Sequence, residues 1–150
     1  MARIRLAEQG DAGLLTELRC AFLEEMGQHL PDGFADRLRY WIEDALGDGR
    51  LMAWLAEVDG RVAGSAAVNP YPHMPSQAYP NGLGWYVLNV YVRPGYRRKG
   101  VGDALLTTVA SAAREQGVDM INLHATVSAR ALYERHGFAV SVDAMSMLLE

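Results

Sequence analysis

Ile4 and Leu6 alternate with Arg3 and Arg5, the two-residue period of a short strand. From Leu14 the rhythm changes. Leu14, Leu15, Leu18, Phe22, Leu23 and Met26 recur at helical spacing, with Asp11 placed as a cap and Gly27 as the stop. Pro31-Asp32-Gly33 breaks the chain, and Phe34, Leu38, Trp41, Ile42 and Ala45 then share one face of a second helix, about residues 34–46. Leu51 to Val58 and Arg61 to Val68 flank Asp59-Gly60, which predicts a hairpin with a type I′ turn. Residues 69–84 carry Pro70, Pro72, Pro75 and Pro80 and read as one long loop, of a length that often serves as a lid. Trp85 to Val92 is an apolar strand. A helix follows over residues 100–116, with Val101, Leu105, Thr108, Val109 and Ala112 inward and Gly117 as its stop. Met120 to Ala125 predicts a strand, Ser128 caps a short helix to His136, and Phe138 to Leu149 predicts one or two closing strands.

This order places an antiparallel hairpin ahead of a strand–helix–strand unit, whose strands are parallel and joined by a right-handed crossover. The expectation is one α/β domain over residues 1–150, with a mixed sheet and helices on both faces. No apolar stretch is long enough to span a bilayer. The first residues, M-A-R-I-R-L-A-E-Q-G-D, show no apolar run before a cleavage site, so a cytoplasmic protein is expected. Cys20, the sole cysteine, excludes an internal disulfide and a cysteine-based zinc cluster, and is expected to be a buried structural thiol. The net charge of −4 argues against nucleic acid as a partner. Its distribution is uneven. Between Asp59 and Asp103 there is no acid, while Arg61, Arg93, Arg97, Arg98 and Lys99 all lie there. That region suits an anion.

The strand ending at Val92 joins the next helix through R-P-G-Y-R-R-K-G-V-G. Free N–H groups at a helix start carry partial positive charge, and glycine leaves the backbone open to a ligand. Such a joint suits a diphosphate. A nucleoside triphosphate loop would need Gly-Lys-Ser/Thr, but Gly102 is followed by Asp103 and Ala104. A dinucleotide fingerprint would need a different glycine spacing and an acid ending the next strand, where His124 and Ala125 stand.

Arg97, Gly100 and Gly102 fit Arg/Gln-x-x-Gly-x-Gly/Ala, and Ala129, Leu132, Tyr133, Glu134, Gly137 and Phe138 fit Ala-x-x-Leu-Tyr-Glu-x-x-Gly-Phe. Together with the opening I-R-L-A-E-Q-G-D-A, these motifs make the whole chain resemble the GNAT superfamily of N-acetyltransferases. The resemblance implies a mostly antiparallel sheet with one parallel, splayed strand pair. It implies acetyl-CoA as acyl donor and no metal. The diphosphate would lie on the backbone of Arg97, Arg98, Lys99, Gly100, Val101 and Gly102. The pantetheine would run along Val90, Tyr91 and Val92 as an added strand, near Thr126 and Ala129. Thr126 stands where relatives often carry asparagine, so the paired donor and acceptor of an amide are lost.

By the same resemblance Tyr133 is the general acid and the Val90 N–H the oxyanion donor. Many relatives place a glutamate on the central strand; here that strand has no carboxylate. A water chain held by Asn89, Tyr86 or Tyr91 is one route for the amine proton. Glu24 or Glu25 from the first helix is another, and His73 or His124 a third. Phe22, Glu24, Glu25, His29, Phe34, Tyr71, His73 and Tyr79 fall on the parts that would meet the acceptor, and acids with aromatics suit a cationic small molecule or a peptide amine. The small run Gly64-Ser65-Ala66-Ala67 leaves room for a longer acyl group, and a module that binds CoA without turnover is a further alternative. An exposed last strand would also allow pairing into a homodimer.

Overall fold

The computed structural model describes residues 1–149. Asp59 and Gly60 both hold positive φ, 51° and 77°, the left-handed pair that a type I′ turn requires. They join β2 (Met52–Val58) to β3 (Arg61–Pro72) in the middle of a sheet completed by β1 (Arg3–Leu6), β4 (Leu83–Val92) and β5 (Met120–Asn122). The strands lie in the order β1-β2-β3-β4-β5. All neighbours are antiparallel except β4 and β5, which are parallel. The helices are α1 (Ala12–Glu25), α2 (Phe34–Asp48), α3 (Val101–Glu115) and α4 (Arg130–Arg135).

Two-residue alternation splits the strands between two cores. Ala53 and Leu55 of β2, Ala67 of β3 and Tyr91 of β4 pack against α1 and α2 through Leu15, Leu18, Ile42 and Ala45. Trp54, Ala56, Ala66, Val68, Trp85 and Val87 face the other way, onto Val101, Leu105 and Val109 of α3. The mixed sheet with helices on both faces is therefore as expected. The inner stripe of α3 also takes in Leu106 and Ala113, and Ala112 packs partly buried against the core as expected; Thr108 does not join it, its hydroxyl turning back to the Ala104 carbonyl at 2.9 Å.

Three expectations are corrected. Residues 69–72 are not loop: they extend β3, pairing Asn69, Pro70, Tyr71 and Pro72 with Tyr86, Trp85, Gly84 and Leu83. β2 has ended by then, at Met52 opposite Val68, so β3 has an open edge where a strand tolerates proline. The remaining loop, 73–82, is closed at its base by the His73 N–H on the Gly82 carbonyl, 3.0 Å. It is tied to Gly117 and Asp119 by Asn81. It sits where β4 and β5 begin, so it is no lid over the far ends of those strands. Finally, residues 138–149 form no strand. β5, three residues long, is the last strand of the sheet. Val142, Met145 and Leu148 stay exposed, and the edge expected to pair across a two-fold axis is absent among the described residues.

Asp11 precedes α1, but its side chain does not cap that helix. It takes the Arg5 guanidinium on both oxygens, 2.8 and 2.9 Å, and the Glu8 N–H at 2.8 Å. Arg5 also reaches Glu57 at 3.2 Å, so this cluster ties β1 to β2 and to the start of α1. Arg5 above all, and the Glu8 N–H as well, hold the Asp11 carboxyl below the usual range. Asp11→Asn should lower the unfolding free energy by about 1–2 kcal/mol at neutral pH, read by urea titration. A carboxylate depressed in the folded state lends stability above its unfolded pKa. The variant's deficit should therefore shrink as the pH drops below the ordinary 3.8 and vanish beneath the folded value.

Candidate active site

On β3, Ser65 faces Tyr91 and Ala67 faces Leu88, so two steps on one strand match three on the other. The extra residue makes a β-bulge at Asn89–Val90. Asn89 takes it up with φ at 54°, a conformation asparagine tolerates better than most residues. The buried Ser65 hydroxyl donates to the Asn89 carbonyl at 3.2 Å. At Gly64 a Cβ would come within 2.5 Å of the Tyr91 carbonyl. The small run at 64–67 thus answers to close strand approach. Of its members only Ala67 lines a cavity, and that cavity is not the large cleft described next.

β5 pairs with β4 only from Gly84 to Tyr86. Beyond that point the strands part, and a cleft of about 840 Å³ opens beside β4. Val90, Tyr91 and Val92 form one wall, and Thr126, Ala129 and Tyr133 stand on another. Arg97, Arg98, Gly100, Val101 and Gly102 close one end, and Phe22 and Glu25 reach in from α1. Residues drawn from three separate stretches of sequence thus meet in one cleft. Lys99 does not line it; its ammonium lies 5.9 Å from the Tyr96 ring. Glu24 is exposed. His73 lies at the opposite end of β4, with Nε2 3.3 Å from an oxygen of the buried Asp119.

Arg98 and Gly100 both hold positive φ, 62° and 80°, which coils the joint tightly onto α3. Among the described residues no group accepts the N–H of residues 98–103; the first helical bond runs from Ala104 to the Gly100 carbonyl. Five of these, from Arg98, Gly100, Val101, Gly102 and Asp103, belong to residues that line the cleft's end and are therefore unpaired there. Gly102 has a second task. A Cβ there would lie 3.2 Å from Leu132, so the missing side chain seats α4 on α3. His136 completes that contact at 2.8 Å from Asp103, whose carboxyl is pushed down chiefly by this bond.

The Arg97 guanidinium is not free to add its charge to those amides. It donates to the Val92 carbonyl at 2.8 Å, pairs with Glu25 at 2.8 Å and lies 5.4 Å from the centre of the Tyr91 ring. The Tyr91 hydroxyl donates to the same carboxylate at 2.8 Å. Arg97 first, and Tyr91 second, push the Glu25 carboxyl below its ordinary range. Burial, and then Glu25, pushes the Tyr91 phenol up.

Tyr133 is buried, edge-on to Phe138 with ring centres 5.8 Å apart, and its hydroxyl has no partner among the described residues. Burial raises its phenol above the ordinary 10.0, with a smaller push from Tyr86. Tyr86 lies outside the cleft lining and is hydrogen-bonded to Nδ1 of His124. Asn89 is buried with Oδ1 unpartnered, beside a smaller cavity under α1 and α2. Arg19 lines that cavity too, and was not among the residues expected from sequence. Its signal is a charge set in an apolar helix stripe, four residues after Leu15 and three before Phe22. Cys20 is half-buried rather than buried, and desolvation first of all raises its thiol. No helix among the described residues is long and apolar enough to cross a membrane.

Residues 15–138 match the model of the Acetyltransferase (GNAT) family. A GCN5-related N-acetyltransferase from Ralstonia eutropha superposes with a TM-score of 0.86 at 26% identity, over 99% of both chains. A predicted acetyltransferase from Clostridium acetobutylicum, solved with acetyl-CoA, gives 0.88 at 24% identity over 99% of this chain and 96% of its own. A ribosomal-protein-alanine N-acetyltransferase from Brucella melitensis gives 0.72 at 23% identity, over 100% of this chain and 99% of its own.

The isolation of Tyr133 has a spectroscopic consequence. In an alkaline titration followed by phenolate absorbance, the difference between wild type and Tyr133→Phe should be a single phenol ionising above 10.0. A difference curve centred below that value would contradict the environment described.

Proposed function

Because the chain belongs to the acetyltransferase (GNAT) family, we propose that it carries acetyl from acetyl-CoA to a primary amine by direct attack within a ternary complex. The observation that carries this reading is the set of unpaired amides at residues 98–103, at the end of a cleft that runs along an unpaired strand edge. Anionic phosphates fit such amides, and the glycine at 100 leaves the approach open, with nothing within 4 Å of where a Cβ would stand. Val90, Tyr91 and Val92 then offer backbone to the pantetheine, with Thr126 and Ala129 across from them.

Acetyl-CoA brings an activated thioester carbonyl, and the chain supplies positioning and proton transfer. The Val90 N–H, on the bulge, is the donor we assign to the developing oxyanion. Tyr133 is the acid. Burial keeps its phenol protonated at neutral pH, and its unpartnered hydroxyl is available to a leaving thiolate. Among the candidates for accepting the amine proton, Glu25 is committed to Arg97 and Tyr91, Glu24 is exposed, and His73 is remote. That leaves the Tyr86–His124 pair, acting through water, and Asn89 at the bulge. Arg97 acts here as the brace that joins α1 to β4; its own N–H is taken by the Pro94 carbonyl, so the cradle begins at Arg98 rather than at Arg97.

One feature favours a second reading, a module that binds CoA without turnover: no carboxylate on β4 serves as base. Steady-state turnover across an amine panel separates the two. The case for a longer acyl group loses its support, because Gly64 and Ser65 do not face the cleft.

Acetyl-CoA should raise the melting temperature of the protein. Gly100→Ala forces alanine into a left-handed conformation, so stability should fall by about 1 kcal/mol and acetyl-CoA should bind several-fold more weakly by calorimetry. Tyr133→Phe should lower kcat by about 10² or more while leaving the Kd for acetyl-CoA nearly unchanged. An unchanged kcat removes Tyr133 from the acid role.

A further inference from the structure

The smaller cavity lies between α1, α2 and the sheet, with a volume of about 50 Å³. That is room for about three to five water-sized groups. Its lining is apolar apart from two groups, Arg19 and Asn89. Leu15, Leu38, Ile42, Leu51 and Leu88 supply most of the wall. A hydrated ligand gains nothing from such a wall, whereas a short branched aliphatic chain does.

The cavity and the large cleft lie on either side of the bulge. Asn89 lines the first and Val90, the next residue, lines the second. Arg19, on the cavity wall, holds its guanidinium 5.9 Å from the centre of the Phe22 ring, and Phe22 lines the cleft. Arg19 is half-buried, and no Asp or Glu among the described residues lies within ion-pair distance of it. The acids of α1 are engaged or turned away: Glu17 holds Arg93, Glu25 holds Arg97, and Glu24 is exposed. Desolvation lowers the Arg19 pKa, as expected of a buried cation with no counter-charge. A planar guanidinium of this kind suits a carboxylate. The unpartnered Asn89 Oδ1 is an acceptor suited to an amine N–H.

We propose that the acceptor is an amine bearing a carboxylate on the same carbon and a short branched aliphatic chain. The carboxylate sits on Arg19, the chain in the cavity under α2, and the amine at the bulge beside Val90. This rests on the transferase reading given above and narrows it from primary amines in general to free aliphatic amino acids. It replaces the cationic acceptor expected from the acids of the first helix, because Glu25 is spent on Arg97 and Glu24 is exposed outside the cleft lining.

The test titrates CoA-loaded protein by calorimetry with leucine, with isopentylamine (leucine without its carboxylate) and with leucinamide (the same skeleton, neutral at that end). Leucine should bind about tenfold or more tightly than either, the range of a charge-assisted hydrogen bond. Arg19→Met should erase that advantage, and Arg19→Lys should retain part of it. Equal binding of leucine and isopentylamine overturns the proposal, as does an Arg19→Met protein that still prefers leucine. Should Arg19→Met fail to fold, the comparison of the three ligands on wild type decides alone. Turnover is read in parallel. Leucine bound but never acetylated would overturn this proposal, and the absence of turnover with leucine, isopentylamine and the wider amine panel alike would sink the transferase reading with it. Isopentylamine acetylated as well as leucine would overturn this proposal alone.

Discussion

Ser65 donates its hydroxyl to the Asn89 carbonyl in a fully buried part of the sheet, and around that bond β4 carries one residue more than β3 can match. A slip of one residue exchanges the faces of every side chain beyond it. Tyr91 therefore packs with α1 and α2, while Val90 turns toward the side of α3 and the cleft. Without the bulge the same strand would present the opposite set. The left-handed backbone at Asn89 and the close approach at Gly64 are the local terms that make this arrangement possible.

The separation of β4 and β5 follows from a different economy of contacts. Three residues of β5 pair with β4. Tyr71 crosses β4 at Gly84, where only hydrogen fits under its ring, and donates to Asn122 at 2.6 Å. Asp119 accepts the N–H groups of Asn81 and Leu83 just below. The pair is pinned at its start and released at Tyr86, so the rest of the β4 edge stays available. A longer β5 would seal the cleft.

Much of this was legible in residue order. Asp59-Gly60 announced the hairpin because only a left-handed pair closes a two-residue loop between twisted strands. The joint after Val92 announced a helix start with open amides, because glycine at 100 and 102 stands there just ahead of an apolar helical stripe. The extension of β3 through Pro70 and Pro72 was not legible, since proline argues against a strand unless one knows that the neighbour has already ended. The closing strands expected over Phe138 to Leu149 are absent, and Val142, Met145 and Leu148 of that stretch are exposed instead. Charge misled as well. Glu25 and Arg97 stand 72 positions apart, and nothing local reveals that each neutralises the other. Arg19 went unnoticed because a lone cation in an apolar stripe ordinarily reaches past it to solvent.

Gly102 belongs to the joint and Leu132 to the last helix, yet the space one gives up is the space the other fills. The two stretches are thus parts of a single mechanical joint. A methyl at position 102 asks the end of the Leu132 side chain to give by a few tenths of an ångström, whereas a bulkier group has to move the helix that presents Tyr133. Volume at these two positions, thirty residues apart, is therefore limited jointly.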